Sequence, residues 1–413
     1  MAPTRVEIRS VDIPRRLATW VRPCAEILFE DGHFSVNIGA VTVPDIIIPA
    51  DLLPVDGRFG SGPTKVRPEA LKALSARATD YMGTSHRRMP VRLAVAELRN
   101  GIAELLRAPD GYEVVLGNGG ATTYWDCATF SLIDERSHHL CFGEFSGKFA
   151  RGVGGAPHLS APSVVTSDFG THPPLAAVEG VDAYCYPHNE TSTGVMLDPV
   201  RVDDEGALML VDATSAAGGL MFDAGATDAY YFAPQKAMAG DGGLWIAMMS
   251  PAAIERAERI AASDRWIPPT LDLKLAIDNS RKDQTYNTPS LATVFLTAHT
   301  VNWFNENGGL TWSAGRCAQS AEIMYSWAES RDFASPFVQD SQQRSKVVAT
   351  IDFDDAVSAD AIYDVLLANG IADTFGYRSL GRNQLRIGLF PAIDPSDVEA
   401  LTACLDYVVS ALS

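Results

Sequence analysis

Six short apolar runs constrain this chain more than anything else in it: Tyr112–Gly117, His139–Phe142, Ala183–Tyr186, Leu208–Val211, Ala229–Phe232 and Leu244–Met249. They are nearly continuous rather than alternating, so each predicts a strand buried on both faces. Stretches with helical character precede or separate them, at Pro68 to about Ala78, Val91–Leu106 and Thr122–Ile133, the first with proline at its start, where helices favour it. Buried strands alternating with helices predict an α/β fold with a mostly parallel sheet covered on both sides. In such a sheet, ligands bind at the carboxyl ends of the strands. A later block reads differently: strand Ser345–Phe353, helix Ala359–Ala368 stopped by Asn369-Gly370, strand Gln384–Leu389 and helix Val398–Leu412. That order predicts a smaller C-terminal α+β domain. Three regions follow: an extension over residues 1–43, in which Ala25–Phe29 and Phe34–Val43 suit short strands; a large domain over 44–300, whose first part packs with the small domain; and the small domain over 301–413.

Charge and cysteine usage exclude several classes of function. The net charge of −18 makes the chain a poor partner for nucleic-acid phosphates, which need clustered Lys and Arg. Any anion site has to be built locally. The six cysteines, Cys24, Cys127, Cys141, Cys185, Cys317 and Cys404, are scattered with no CxxC pair, so a reducing compartment is the default. No apolar run reaches membrane-spanning length, and the first residues lack the apolar core of a signal peptide. The expectation is a cytoplasmic protein with no membrane and no nucleic-acid partner.

Three strand ends carry chemistry. GNGGATTYWD (Gly117–Asp126) turns from a strand into a helix through glycines; backbone can approach a ligand there, and the helix N-terminus offers free N–H groups to a phosphate. The motif is neither GxGxxG nor a P-loop, and a tight turn explains it equally well. Asp212 closes the apolar strand of LMLVDATS, where a charge is costly unless paired. It suits a helix cap or a carboxylate facing a cationic ring nitrogen. Lys236 follows the apolar strand of AYYFAPQK. Alone, such a lysine reads as a surface residue; desolvated, its amine loses its proton more easily and attacks an aldehyde. A phosphate cradle, a strand-end Asp and a strand-end Lys are the three fixtures that pyridoxal phosphate requires.

With these residues stand GRFGSGPTKV, GTSHR, GEFSGKF, HNETSTG, QTYNTP and LGRNQLRIGLFPA. In this order, from about Pro44 to the end, the chain resembles the phosphoserine aminotransferases of the branch found in actinobacteria, within the class V aminotransferases of pyridoxal-phosphate fold type I. The resemblance implies a seven-stranded sheet in the large domain. It implies that Lys236 holds the cofactor as a Schiff base, Asp212 binds the ring nitrogen, Phe145 stacks on the ring and Thr191 bonds its hydroxyl. Ala121, Thr122 and Gln235 would hold the phosphate, with Asn287 and Thr288 reaching it from a second subunit of a homodimer with shared active sites. Arg386 would clamp the substrate carboxylate. His86 and Arg87 would serve the substrate phosphate across the dimer, with Arg378 and Arg382 as further candidates. Tyr377 stands where many relatives carry histidine, which leaves the choice between those two arginines open. The implied reaction passes the amino group of glutamate to 3-phosphohydroxypyruvate, giving O-phospho-L-serine in serine biosynthesis. The phosphorylated hydroxythreonine keto acid of pyridoxal-phosphate synthesis would fit the same pocket.

Other readings have less behind them. An aminotransferase for an unphosphorylated keto acid would leave the TSHR motif and the C-terminal arginines without a use. A cysteine desulfurase would need a histidine after the cofactor Asp, where Ala213-Thr214 stand. Intact Lys236, Asp212 and Arg386 speak against a cofactor-binding protein without catalysis. His138-His139 and Asp203-Asp204 lack metal-ligand spacing, because adjacent strand residues point to opposite faces.

Overall fold

The computed structural model describes residues 45–413 and, before them, the backbone of two strands. Those strands, β1 (Ala25–Glu30) and β2 (His33–Ile38), pair antiparallel with Phe29 opposite Phe34, in a unit of their own. The expected second strand ran on to Val43, and its last five residues lie outside the described residues.

In the second unit, β3 (Glu113–Gly119), β4 (Ser137–Cys141), β5 (Ser163–Thr166), β6 (Ala183–Pro187), β9 (Leu208–Asp212), β10 (Ala229–Phe232) and β11 (Gly243–Met249) form one sheet in the order β3-β11-β10-β9-β6-β4-β5. A two-residue hairpin, β7 (Asn189–Glu190) and β8 (Val195–Met196), leaves the end of β6. From β10 to β5 all pairings are parallel, and β11 alone runs against its two neighbours. The sheet is the mostly parallel, seven-stranded one expected.

The apolar runs are continuous because both faces are covered. Along β9, Met209 and Val211 enter one core and Leu208 and Leu210 the other. In β10, Tyr230 and Phe232 oppose Ala229 and Tyr231 in the same way. Side chains alternate across a strand, so burial on both faces requires every position to be apolar.

A second sheet, β12 (Ala334–Pro336), β13 (Val348–Phe353) and β14 (Gln384–Gly388), is antiparallel. Helices Ala359–Ala368 and Pro395–Leu412 cover it around a third core. Ile48 and Phe59 belong to that core, and the Phe59 carbonyl accepts from Gly388 N at 2.7 Å, so the segment after residue 45 packs with the C-terminal sheet. Helix Gly309–Glu329 joins the two bodies: Leu310 and Cys317 lie in the core of the large sheet, whereas Ala321, Met324 and Ala328 lie in the core of the small one.

β3 delivers the chain to the glycine-rich turn, and its fit against β11 depends on Gly117. The indole of Trp245, its cross-strand neighbour, covers the glycine so closely that a Cβ would sit 2.1 Å from the ring. Gly117→Ala is expected to overpack this contact and destabilise the protein by about 1–3 kcal/mol, seen as a lower melting temperature than wild type. An unchanged melting temperature would contradict the contact.

Candidate active site

The carboxyl ends of the parallel strands open on a cavity of about 340 Å³. Separate stretches of chain from Ser61 to Arg386 reach it. β3 ends at Gly119 and the helix Ala121–Ser131 starts at once, capped by the extended Gly120, so Ala121 and Thr122 present the first turn to the cavity. First-turn N–H groups have no partner inside the helix and suit an anion. One turn on, Trp125 faces the same way, and its Nε1 donates to Asp212 Oδ2 at 2.8 Å. Thr214 N donates to the other carboxylate oxygen at 2.9 Å. Asp212, the last residue of β9, is thus locked by two donors and turned into the cavity.

Lys236 follows β10 and is buried. Its Nζ donates to Thr191 Oγ1 at 2.8 Å; Thr191 donates to Ser215 Oγ at 2.9 Å, which also takes the Asn189 amide at 2.8 Å. The amine lies 5.1 Å from the centroid of the Phe145 ring. Burial lowers the lysine pKa to about 8; nearby Arg386 pushes the same way, while Asp212 and Glu190 oppose it. Arg386 comes from β14 and is buried. Its Nη1 donates to the Thr191 carbonyl at 3.3 Å, and its guanidinium lies over the Tyr377 ring, 5.0 Å from the centroid. Burial brings its pKa down to about 10, which leaves it a cation at neutral pH. Tyr377 in turn meets the Phe145 ring edge-on at 5.9 Å.

Four buried polar atoms on residues lining this cavity have no protein partner: Asn189 Oδ1, Thr214 Oγ1, Gln235 Oε1 and Arg386 Nε. Buried polar atoms are nearly always paired, so their clustering here marks a cavity built for a polar guest. A helix N-terminus for a phosphate, a fixed carboxylate for a cationic nitrogen, an aromatic face and a neutralisable lysine together fit pyridoxal phosphate.

Of the residues expected from sequence, Lys236, Asp212, Ala121, Thr122, Phe145, Thr191, Gln235 and Arg386 all line the cavity. His86, Arg87, Asn287, Thr288, Arg378 and Arg382 do not. Thr288 Oγ1 and His86 Nδ1 are 3.1 Å apart, and the Thr288 carbonyl accepts from Asn118 at 2.8 Å. Asn287 lines a neighbouring cavity beside Asn118 and Tyr286. Arg382 is held by both carboxylate oxygens of Asp352 and lies over Phe337, whereas Arg378 is exposed on a short turn beside Phe375. Sequence reasoning missed Trp125, Asn189 and Ser215. Trp125 had a signal, since it sits one helical turn from Ala121; the bonds of Ser215 to Asn189 and Thr191 had none.

The class V aminotransferase family matches residues 178–401. The chain is 56% identical to a phosphoserine aminotransferase of Nocardioides sp. over 368 residues, covering 88% of this chain and 98% of that one. Its structure is similar to that of a phosphoserine aminotransferase from Cytophaga hutchinsonii, with a TM-score of 0.77 at 22% identity over 85% of this chain and 99% of the other. A second solved structure, a phosphoserine aminotransferase from Bacillus circulans subsp. alkalophilus, gives 0.75 at 20% identity over 87% and 99%.

The lowered lysine pKa has a sign that can be checked. Only the neutral amine attacks an aldehyde, so uptake of pyridoxal phosphate by the apoprotein should accelerate with rising pH and level off above about 8. The growth of yellow absorbance in a stopped-flow instrument measures it, and Lys236→Ala should show none. A rate that ignores pH, or a yellow Lys236→Ala protein, would contradict the assignment.

Proposed function

The chain belongs to the class V aminotransferases, and we propose that it moves the amino group of L-glutamate to 3-phosphohydroxypyruvate, giving 2-oxoglutarate and O-phospho-L-serine, the step that leads to serine. One observation carries the reading: a buried lysine of lowered pKa and a buried arginine share one cavity, bonded to the hydroxyl and the carbonyl of the same residue, Thr191. A base beside a carboxylate clamp is what transfer from an α-amino acid requires. The name and 56% identity of the Nocardioides relative support the phosphorylated substrate.

Pyridoxal phosphate, when bound, supplies an aldehyde that condenses with amines and a ring that draws electrons from the carbon beside it. Ala121, Thr122 and Gln235 would hold its phosphate. Asp212, fixed by Trp125 and Thr214, would face a protonated ring nitrogen. Phe145 would cover the ring, and Thr191 would pass from the lysine to the ring hydroxyl. Lys236 Nζ would take the proton from the substrate α-carbon as base and return it as acid. Arg386 would grip the substrate carboxylate in a fork, and Phe145 with Tyr377 would keep water from the reacting atoms.

The substrate phosphate needs cations of its own. Arg382 is already paired with Asp352, so Arg378 is the C-terminal candidate, joined by His86 and Arg87 from the partner of a homodimer. Burial and Arg87 both lower the His86 pKa in the chain as it stands. Asn287 and Thr288 would reach the cofactor phosphate across the same interface. The phosphorylated hydroxythreonine keto acid of pyridoxal-phosphate synthesis is a second acceptor under this proposal. The division into a large domain to residue 300 and a small one beyond it is part of it too; the separate core of the C-terminal sheet supports two domains, while Val301, Phe304, Leu310 and Cys317, beyond residue 300, lie in the core of the large sheet. Among the described residues no helix is long and apolar enough to cross a membrane, and their five cysteines are free and buried; a cytoplasmic enzyme accords with both.

Steady-state assay with glutamate and 3-phosphohydroxypyruvate tests the substrate: phosphoserine should form, and preference for an unphosphorylated keto acid would overturn the reading. Arg378→Ala and Arg87→Ala should each raise KM for the phosphorylated acceptor about tenfold or more, the loss of a charge-assisted bond, with the glutamate half-reaction little changed. Arg382→Ala should affect that KM less than Arg378→Ala; the reverse order would exchange their roles.

A further inference from the structure

Against the backbone of Phe145 lies a carboxylate that the proposed reaction does not use. Glu190, in β7, is fully buried. Its Oε2 accepts from Ser146 N at 2.9 Å and Ser146 Oγ at 2.8 Å; its Oε1 accepts from Ser192 Oγ at 2.7 Å, Ser192 N at 3.2 Å and Phe145 N at 3.5 Å. Phe145 and Ser146 open the helix Glu144–Gly154, whose capping residue, Gly143, has no side chain to offer. Glu190 therefore caps this helix from another strand, and Ser192 Oγ takes the remaining first-turn donor, Glu144 N, at 3.0 Å. Gly143 makes the approach possible: a Cβ there would lie 2.2 Å from Glu190 Cγ.

The next residue is Thr191, which receives the lysine amine on its hydroxyl and Arg386 on its carbonyl. One dipeptide thus links the helix that carries the aromatic face, the proton-moving amine and the carboxylate clamp. We propose that Glu190 is a positioning residue for the cofactor: it fixes the Phe145 ring against the Lys236 amine and supplies a negative charge that balances Arg386. The charged and titratable groups that sense it are Lys236, Arg386 and the Cys141 thiol, and Asp212 and Tyr377 complete the set around the two cations. Glu190 opposes the loss of the proton from both Lys236 and Arg386. The inference rests on the reading of this cavity as the seat of the cofactor on Lys236.

Glu190→Gln keeps the shape, removes the charge and turns an NH2 toward a backbone N–H that can only donate. In the purified holoenzyme, the cofactor dissociation constant should rise about tenfold or more, as expected for loss of charge-assisted bonds. The visible circular dichroism of the cofactor–lysine band should shrink. The pH midpoint of that band should move to lower pH, because a nearby negative charge favours the protonated form and has been removed. Ser192→Ala and Ser146→Ala, each removing one hydroxyl donor but leaving the charge, should lower the affinity and the dichroism in the same direction by less without moving the midpoint to lower pH, and they serve if Glu190→Gln does not fold. Wild-type affinity, dichroism and midpoint in a folded Glu190→Gln protein, with or without a lower melting temperature, would falsify the proposal, as would wild-type affinity and dichroism in both serine variants. A cofactor–lysine band surviving Lys236→Ala would instead overturn the underlying site.

Discussion

Keeping water from one amine is the constraint on which the rest of the site depends. A lysine ammonium in water has little reason to lose its proton; taken out of water it does, and a pKa of about 8 follows chiefly from burial. Burial needs walls, and the walls come from distant places: Thr191 below, the Phe145 ring beside it and Asp212 at the end of the central strand. Each wall is held by its own bonds. Asp212 is gripped by Trp125 and Thr214, Thr191 by Ser215, and Phe145 by the capped start of its helix. A side chain held by such bonds lets the site meet its guest without reorganising.

The same enclosure answers a problem posed by composition. A chain with a net charge of −18 repels anions, yet its proposed ligands carry phosphate and carboxylate groups. The cation that matters, Arg386, is buried and shielded from the overall field. Its charge acts over short distances in a low-dielectric pocket, where it is strong, and the acidic surface is screened by salt beyond about 10 Å. A local arrangement of one arginine and one helix N-terminus thus outweighs a global excess of carboxylates.

Much of this was legible in the sequence, for physical reasons. Strands buried on both faces must be apolar throughout, so β10 falls at the residues its composition marks, and Asp212 and Lys236 stand out as polar residues ending apolar runs. Other elements carry no such mark. β5 is an exposed edge strand with no buried face to record in its sequence. Helix Leu291–Glu306 is buried on several sides, with Leu291, Val294, Thr297, Ala298, Val301 and Phe304 all inside, so no single apolar stripe gives it away. The contacts that separate Arg378 from Arg382 depend on Asp352, thirty residues back along the chain, and nothing in the local pattern of charge reports them. Pairings made by tertiary structure leave no periodic trace.

The lysine acquires its character only when stretches as far apart as residues 121 and 386 have met. In an unfolded or half-folded chain it has the ordinary pKa of an exposed amine and is almost wholly protonated at neutral pH. Its reactivity toward aldehydes is therefore a property of the finished fold. Under the proposed role of Lys236, a nascent or damaged molecule would take up the cofactor poorly, and a finished one would take it up and, by mass action, be held in the folded state by it. The depressed pKa would thus double as a quality check, coupling possession of the cofactor to correct assembly of the chain.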